Sequence, residues 1–154
     1  MTMHPDLSLQ DVSDRLAIRE LIDAYAHHAD FREPDKQYAL YTETGRTLVF
    51  MGDTSSAPVQ TLETRDDHLA GFGGLSQYSF TTHFNGQSTI NIHGDTATGE
   101  AYCLAHHILE AEDGRMLILM SIRYEDTFQR TLDGWRFSER KLVITWTDTR
   151  PSQP

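Results

Sequence analysis

Asp30 and His83 are residue types that can do chemistry together. A carboxylate beside an imidazole fixes the ring's tautomer and stabilises the imidazolium, so the other ring nitrogen can take a proton. Each residue also has an ordinary reading. Asp30 ends an amphipathic stretch inside a polar segment, residues 27–35, and solvent alone can satisfy a carboxylate there. It sits at the negative end of a helix, so it needs either solvent or a cationic partner. His83 opens a strand-like run, Thr81-Thr82-His83-Phe84-Asn85, where a lone histidine is often structural. Spacing alone does not show that the two touch.

A second pair, His106 and His107, closes another strand-like run. Neighbours on a strand point to opposite faces, so only one of them can face a pocket. Cys103, Ala105 and His107 share one face, and small residues there leave room for a ligand, which favours His107. In the last run Arg136, Ser138, Arg140, Leu142 and Ile144 fall on one face by alternation. Arg140 is then either an anion partner inside the pocket or half of an ion pair. A metal site is not expected: there is no HExxH, no paired Cys, and the adjacent His27 and His28 on a helix do not ligate from one face. Residues 71–74 lack the pattern of a phosphate loop, and no GxSxG elbow exists.

The elements that must position these groups are legible from periodicity. Residues 11–30 carry Ile18, Leu21, Ile22, Tyr25 and Ala29 at helical spacing, with acidic residues at the start. Pro34 opens a short helix over 34–41. Residues 46–51 read as a strand and 52–58 as a loop. Thr64 with Asp67 makes a capping box for a third helix through Leu69 and Phe72, ending at Gly73-Gly74. From Phe80 the pattern changes to four long strands, over 81–92, 96–110, 115–130 and 135–147, punctuated by turns at Gly94, Gly114 and Gly134. Helices first and an antiparallel meander second make an α+β fold, its sheet strongly curved and closed on one side by helices. The concave space between them is where a small-molecule site forms.

Bulk properties bound the rest. A chain of 154 residues suits one domain, here 11–147, with a flexible arm over 1–10 and a frayed tail over 148–154. At 38% hydrophobic and 23% charged the composition is globular. A net charge of -10 disfavours nucleic acid and anionic membranes as partners. One cysteine allows no internal disulfide, the start has no signal-peptide pattern, and no apolar run approaches the roughly 20 residues of a membrane helix. A cytoplasmic protein is the expectation. Apolar residues on both faces of 116–122 predict a homodimer or homotrimer formed through the sheet.

Several stretches resemble the SnoaL-like branch of the nuclear-transport-factor-two-like superfamily. Residues 18–25 (Ile-Arg-Glu-Leu-Ile-Asp-Ala-Tyr), then Asp30 and Asp35, resemble its first helix. His83-Phe84-Asn85-Gly86 with Ile90 to Ala97 resembles its first long strand and turn. Tyr124 to Phe128 with Asp133 to Phe137 resembles its closing hairpin. The resemblance spans roughly residues 10–147 and implies a cone-shaped α+β barrel. Members with an Asp and a His at these places include scytalone dehydratase and lindane dehydrochlorinase, where the pair acts as a base in an elimination. Carried over, this implies Asp30, His83 and His107 as catalytic residues. Tyr25, Phe50, Phe72, Cys103 and Arg140 would line the substrate site. The tyrosines that hold a water in scytalone dehydratase are matched here by Ala29 and the region of Phe50 and Met51, a departure from that enzyme's pattern. The resemblance implies a cofactor-free lyase or isomerase acting on a hydrophobic cyclic or aromatic molecule. The family also holds non-catalytic binders and dioxygenase small subunits, so an accessory or ligand-binding role is the alternative.

Overall fold

A computed structural model describes residues 6–153. Helix α1 (Leu9–Asp30) starts earlier than periodicity predicts, because Ser8 is its cap: the Ser8 hydroxyl accepts from the Asp11 amide, and the Asp11 carboxylate accepts from the Ser8 amide. The expected arm over 1–10 therefore gives way to helix by Leu9, and its first five residues lie outside the described residues. One face of α1 buries Ile18, Leu21, Ile22, Tyr25, Ala26 and Ala29. Asp14 is buried on the same face. It takes both guanidinium nitrogens of Arg130, at 2.6 and 2.7 Å, and the Trp135 indole at 2.9 Å. These bonds bind the start of the helix to the last hairpin.

Helix α2 (Pro34–Tyr38) is shorter than expected, and strand β1 (Tyr41–Met51) is longer. Strand β2 (Gln60–Leu62) follows the loop, then α3 (Arg65–Gly73) with the Thr64–Asp67 capping box, then one 3₁₀ turn over Gly74–Gln77. The meander comprises β3 (Phe80–His93), β4 (Thr96–Ala111), β5 (Gly114–Thr131) and β6 (Gly134–Pro151). Its turns hold Gly94, Gly114 and Gly134 at φ of 66°, 119° and 102°, where other L-residues are strained. The tail expected to fray is strand instead: Met120, Leu119 and Met116 pair with Thr147, Asp148 and Pro151. Strand β5 starts at Gly114, so the backbone groups of its first half find their partners in that segment.

The six strands lie in the order β2-β1-β6-β5-β4-β3. The sheet is mixed and does not close into a full barrel. Strand β1 runs parallel to β6, because the chain leaves α1 and α2 and enters the sheet beside its last strand. Register shifts near Asn85, Ser121 and Thr127 bend the long strands around the helices. At Gly99 an added Cβ would sit 2.5 Å from the Thr89 carbonyl oxygen, so β3 and β4 approach closely only over a glycine. Ala97, Ala101, Cys103 and Ala105 of β4 belong to one core cluster with Ile18, Ile22, Tyr25, Tyr124, Phe128 and Phe137. No helix among the described residues is long and apolar enough to cross a membrane.

Candidate active site

A cavity of about 240 Å³ opens between the helices and the concave face of the sheet. Its polar end is assembled at the end of α1. Arg32 turns back there with φ of 59°, a left-handed conformation uncommon outside glycine. Its guanidinium donates to the Ala29 and Asp30 carbonyls, to the Tyr78 carbonyl and to the Thr81 hydroxyl. A cation thus caps the negative end of the helix, which removes the conflict that a carboxylate creates at that place.

Asp30 points across to β3. Its Oδ1 accepts from the Thr81 hydroxyl at 2.9 Å and lies 2.7 Å from Nδ1 of His83, while Oδ2 accepts from the His83 amide at 3.0 Å. Burial opposes ionisation of Asp30. The bonds from the His83 ring, the His83 backbone and Thr81 outweigh it and hold the carboxyl below its usual range. An ionised carboxylate only accepts, so Nδ1 of His83 carries the proton and Nε2 is left as the free ring nitrogen. The His83 side chain is 7% exposed, lines the cavity, and has no partner at Nε2 among the described residues.

His107 lines the same wall, its ring centre 5.6 Å from that of His83 at 87° and 4.7 Å from that of Tyr78. Alternation on β4 does turn His107 in and His106 out. Nδ1 of His107 faces the Ile118 carbonyl at 3.3 Å, so it donates there and Nε2 is an acceptor. Burial, then the neighbouring His83 and Arg32, pull its pKa down to about 4. A neutral ring with its one N–H engaged by backbone is an acceptor toward the cavity.

Tyr25 and Phe72 form an aromatic wall, edge to face at 5.7 Å. The other three expected lining residues do not reach the cavity. Thr47 and Val49 of β1 face it, so Phe50 between them and Met51 points to the opposite face, where it is buried. Cys103 is packed in the core, and burial pushes its thiol up to about 11. Arg140 is fully buried beneath the floor. It forms a double hydrogen bond with Asp126 at 2.9 Å each, and its guanidinium lies 3.8, 4.2 and 4.3 Å from the ring centres of Tyr124, Tyr25 and Phe137. Burial works against the Arg140 charge, but Asp126 outweighs it and keeps the guanidinium protonated. The bulge near Thr127 brings Phe137 and Arg140 to the same side, where strict alternation places Arg136 and Ser138. Arg123 and Glu125 of β5 form ion pairs across strands, with Glu100 of β4 and Lys141 of β6.

Sequence reasoning missed Thr81, Arg32, Tyr78 and Gln37. The Thr-Thr-His spacing put Thr81 on the His83 face, which was a usable signal; the left-handed Arg32 left none. At the surface, ligand atoms of His27, His28 and Glu33 come within 4.8 Å of one another, closer than adjacent helix histidines suggest. None of them lines the cavity, and Glu33 is engaged by His28 at 2.8 Å and Lys36 at 2.6 Å.

The chain is similar to proteins of known sequence and structure. An uncharacterized protein of Mycobacterium tuberculosis is 27% identical over 138 residues, 87% of each chain. A candidate scytalone dehydratase from Novosphingobium aromaticivorans superposes with a TM-score of 0.76 at 23% identity, covering 93% of this chain and 91% of its own. Hexachlorocyclohexane dehydrochlorinase type 3 from Novosphingobium barchaimii superposes with a TM-score of 0.76 at 15% identity, covering 95% and 98%. At these identities the two structures establish a shared fold, the nuclear-transport-factor-two-like α+β cone. The SnoaL-like domain model matches residues 10–141, and the chain belongs to the SnoaL-like family.

Proposed function

We propose that this protein is a lyase or isomerase that removes a proton from a hydrophobic cyclic or aromatic small molecule, with Nε2 of His83 as the base. The observation that carries the reading is the Asp30–His83 contact of 2.7 Å, with the opposite ring nitrogen free at the cavity wall. The proton moves from carbon to Nε2, and Asp30 stabilises the imidazolium. The electron pair left on carbon then expels a leaving group, or is reprotonated at another carbon. Proton transfer of this kind calls on no cofactor. One positioned base contributes about 10²–10⁴-fold in rate. The rest must come from orientation between Tyr25, Phe72, Met120, Ile122 and Leu142. A volume of about 240 Å³ is small beside the roughly 300–1,000 Å³ of drug-sized sites, which suits a molecule of one or two rings. The relatedness of fold to a dehydrochlorinase and a candidate dehydratase supports the same class.

Exposed Phe80, Phe84, Leu104 and Trp146 on the outer sheet face support self-association as a homodimer or homotrimer, which light scattering measures directly. The free, buried Cys103 suits a reducing cytoplasm. The test of the chemistry is a screen of halogenated and hydroxylated ring compounds against the wild type and His83→Gln. Turnover should fall at least about 10²-fold in the variant with little change in melting temperature. A fully active His83→Gln protein sinks the mechanism. A ligand that binds tightly with no turnover in the wild type makes the protein a binder or accessory subunit instead.

A further inference from the structure

The cavity that His83 lines also holds a polar group with no protein partner among the described residues. Gln37 on α2 is 2% exposed and its side chain lines the cavity. Its backbone is fully used, the amide donating to the Glu33 carbonyl and the carbonyl accepting from Leu40. Its carboxamide has no hydrogen-bond partner among the described residues. Its polar atoms open onto the cavity, where only water or a ligand can bind them.

The neighbours narrow the choice. Thr47 of β1 also faces the cavity, but its hydroxyl is already held by the Tyr41 hydroxyl at 2.8 Å and Nε2 of His68 at 3.2 Å. His68 in turn donates from Nδ1 to the Thr64 carbonyl. That chain of contacts is closed on itself and leaves Gln37 out. Gln60 and Gln77 also line the cavity but are exposed and sit at its mouth. Leu62, Phe72 and Val49 add apolar surface to the same cavity. No Lys or Arg lines the cavity among the described residues, and the chain carries a net charge of -10, so an anionic ligand is disfavoured. A neutral oxygen fits: the carboxamide N–H donates to a ketone oxygen.

We infer that Gln37 is the specificity-determining anchor of the site, and that it selects a neutral cyclic ketone over the corresponding hydrocarbon. The ketone oxygen sits against Gln37, and the ring body lies along the Tyr25–Phe72 wall of the cavity that His83 also lines. The inference deepens the proton-abstraction reading and rests on it only for the substrate's orientation, because the anchor itself is a matter of binding.

The experiment uses the whole chain with 1-tetralone and tetralin, a pair differing by one carbonyl oxygen, and measures both dissociation constants by calorimetry. Wild type should prefer the ketone by about tenfold or more, the discrimination expected of a buried polar group that one ligand satisfies and the other does not. Gln37→Leu should bring that ratio close to one with tetralin affinity kept, and Gln37→Met serves if the leucine variant does not fold. His83→Gln should keep the wild-type ratio, since it leaves the anchor in place; a lost dyad chemistry thus reads out separately from a lost anchor. Equal binding of the two probes by wild type, an unchanged preference in the Gln37 variants, or no binding of either probe overturns the inference.

Discussion

Asp30→Asn tests the site most directly, and its consequences follow from the three hydrogen bonds that the carboxylate accepts. A carboxamide keeps one acceptor oxygen. The His83 amide is a donor fixed in the strand, so the oxygen must stay where Oδ2 is, and the NH₂ must take the place of Oδ1. There it faces Nδ1 of His83 and the Thr81 hydroxyl. Two donors cannot share a bond, so the imidazole must move its proton to Nε2 and accept at Nδ1. The bond that Thr81 donates is lost, because an NH₂ group does not accept. Bonds to a charged group are worth about 1.5–3 kcal/mol, so one lost and one inverted cost about 2–4 kcal/mol together. For a domain of this size that lowers the melting temperature by roughly 4–16 °C.

The functional consequence is larger than the structural one. With its proton on Nε2, His83 presents a donor to the cavity and no longer a base. The equivalent carboxamide exchange in a Ser-His-Asp triad lowers kcat about 10⁴-fold for the same reason. The tautomer can be read without a substrate, from long-range proton–nitrogen correlation spectra at a pH where the ring is neutral. Wild type should show His83 protonated on Nδ1, and Asp30→Asn on Nε2. The sign of the pH dependence is also set. The folded-state pKa of Asp30 lies below its ordinary value, so its stabilisation is present above about pH 4 and is lost as pH falls through the folded value. The stability gap between the two proteins should therefore close in acid. A wild-type His83 protonated on Nε2, or one tautomer in both proteins, refutes the reasoning.

Three further outcomes follow from buried groups. His107, held down to about 4 against an ordinary value near 6.5, binds a proton more readily unfolded than folded, so stability falls as pH drops from about 6.5 to 4, by at most roughly 3 kcal/mol. His107→Phe should flatten that part of a urea-unfolding series over pH, and an unchanged slope counts against it. Arg140→Met leaves Asp126 buried without its cation and should cost about 3–5 kcal/mol, while Arg140→Met with Asp126→Leu should recover much of the loss. A double variant no more stable than the single one means the pair is not the source of the cost. Gly99→Ala forces its Cβ against the Thr89 carbonyl oxygen and should destabilise by about 1–3 kcal/mol in thermal melting, whereas a neutral result means the two strands part easily.

The helices and the meander were legible because their signals are local. The apolar stripe from Ile18 to Ala29, the Thr64–Asp67 box and the turn glycines each act within a few residues, and each lies where periodicity places it. Ser8 was equally local, three residues before Asp11, but it falls in a polar segment that composition alone reads as an arm. The parallel seat of β1 beside β6 depends on contacts between residues more than ninety positions apart, such as Arg46 with Glu139. No pattern inside either segment encodes that neighbour.

The same division explains the site. His107 was turned inward because it sits on a regular stretch of strand where alternation holds, whereas the pairing of His83 with Asp30 came from the resemblance. Phe50 was carried over by resemblance, which does not fix the face it takes, and Arg140 was placed by an alternation that the strand does not keep. On β1 the phase is set by the crossover, which turns Thr47 and Val49 inward; on β6 it is reset by the bulge between Phe137 and Arg140. That reset has a physical use. It puts Phe137 and Arg140 on one side of β6, so the guanidinium meets three rings and Asp126, and the cavity floor becomes a packed layer with no charge reaching the ligand. A strand without the bulge would turn Arg140 away from Tyr25 and Tyr124. The two tyrosines would then lose the cation that lies against them, and the aromatic wall facing His83 would lose its support. The irregularity that defeats a sequence reading is therefore what keeps the floor neutral and the base as the reactive group facing the cavity.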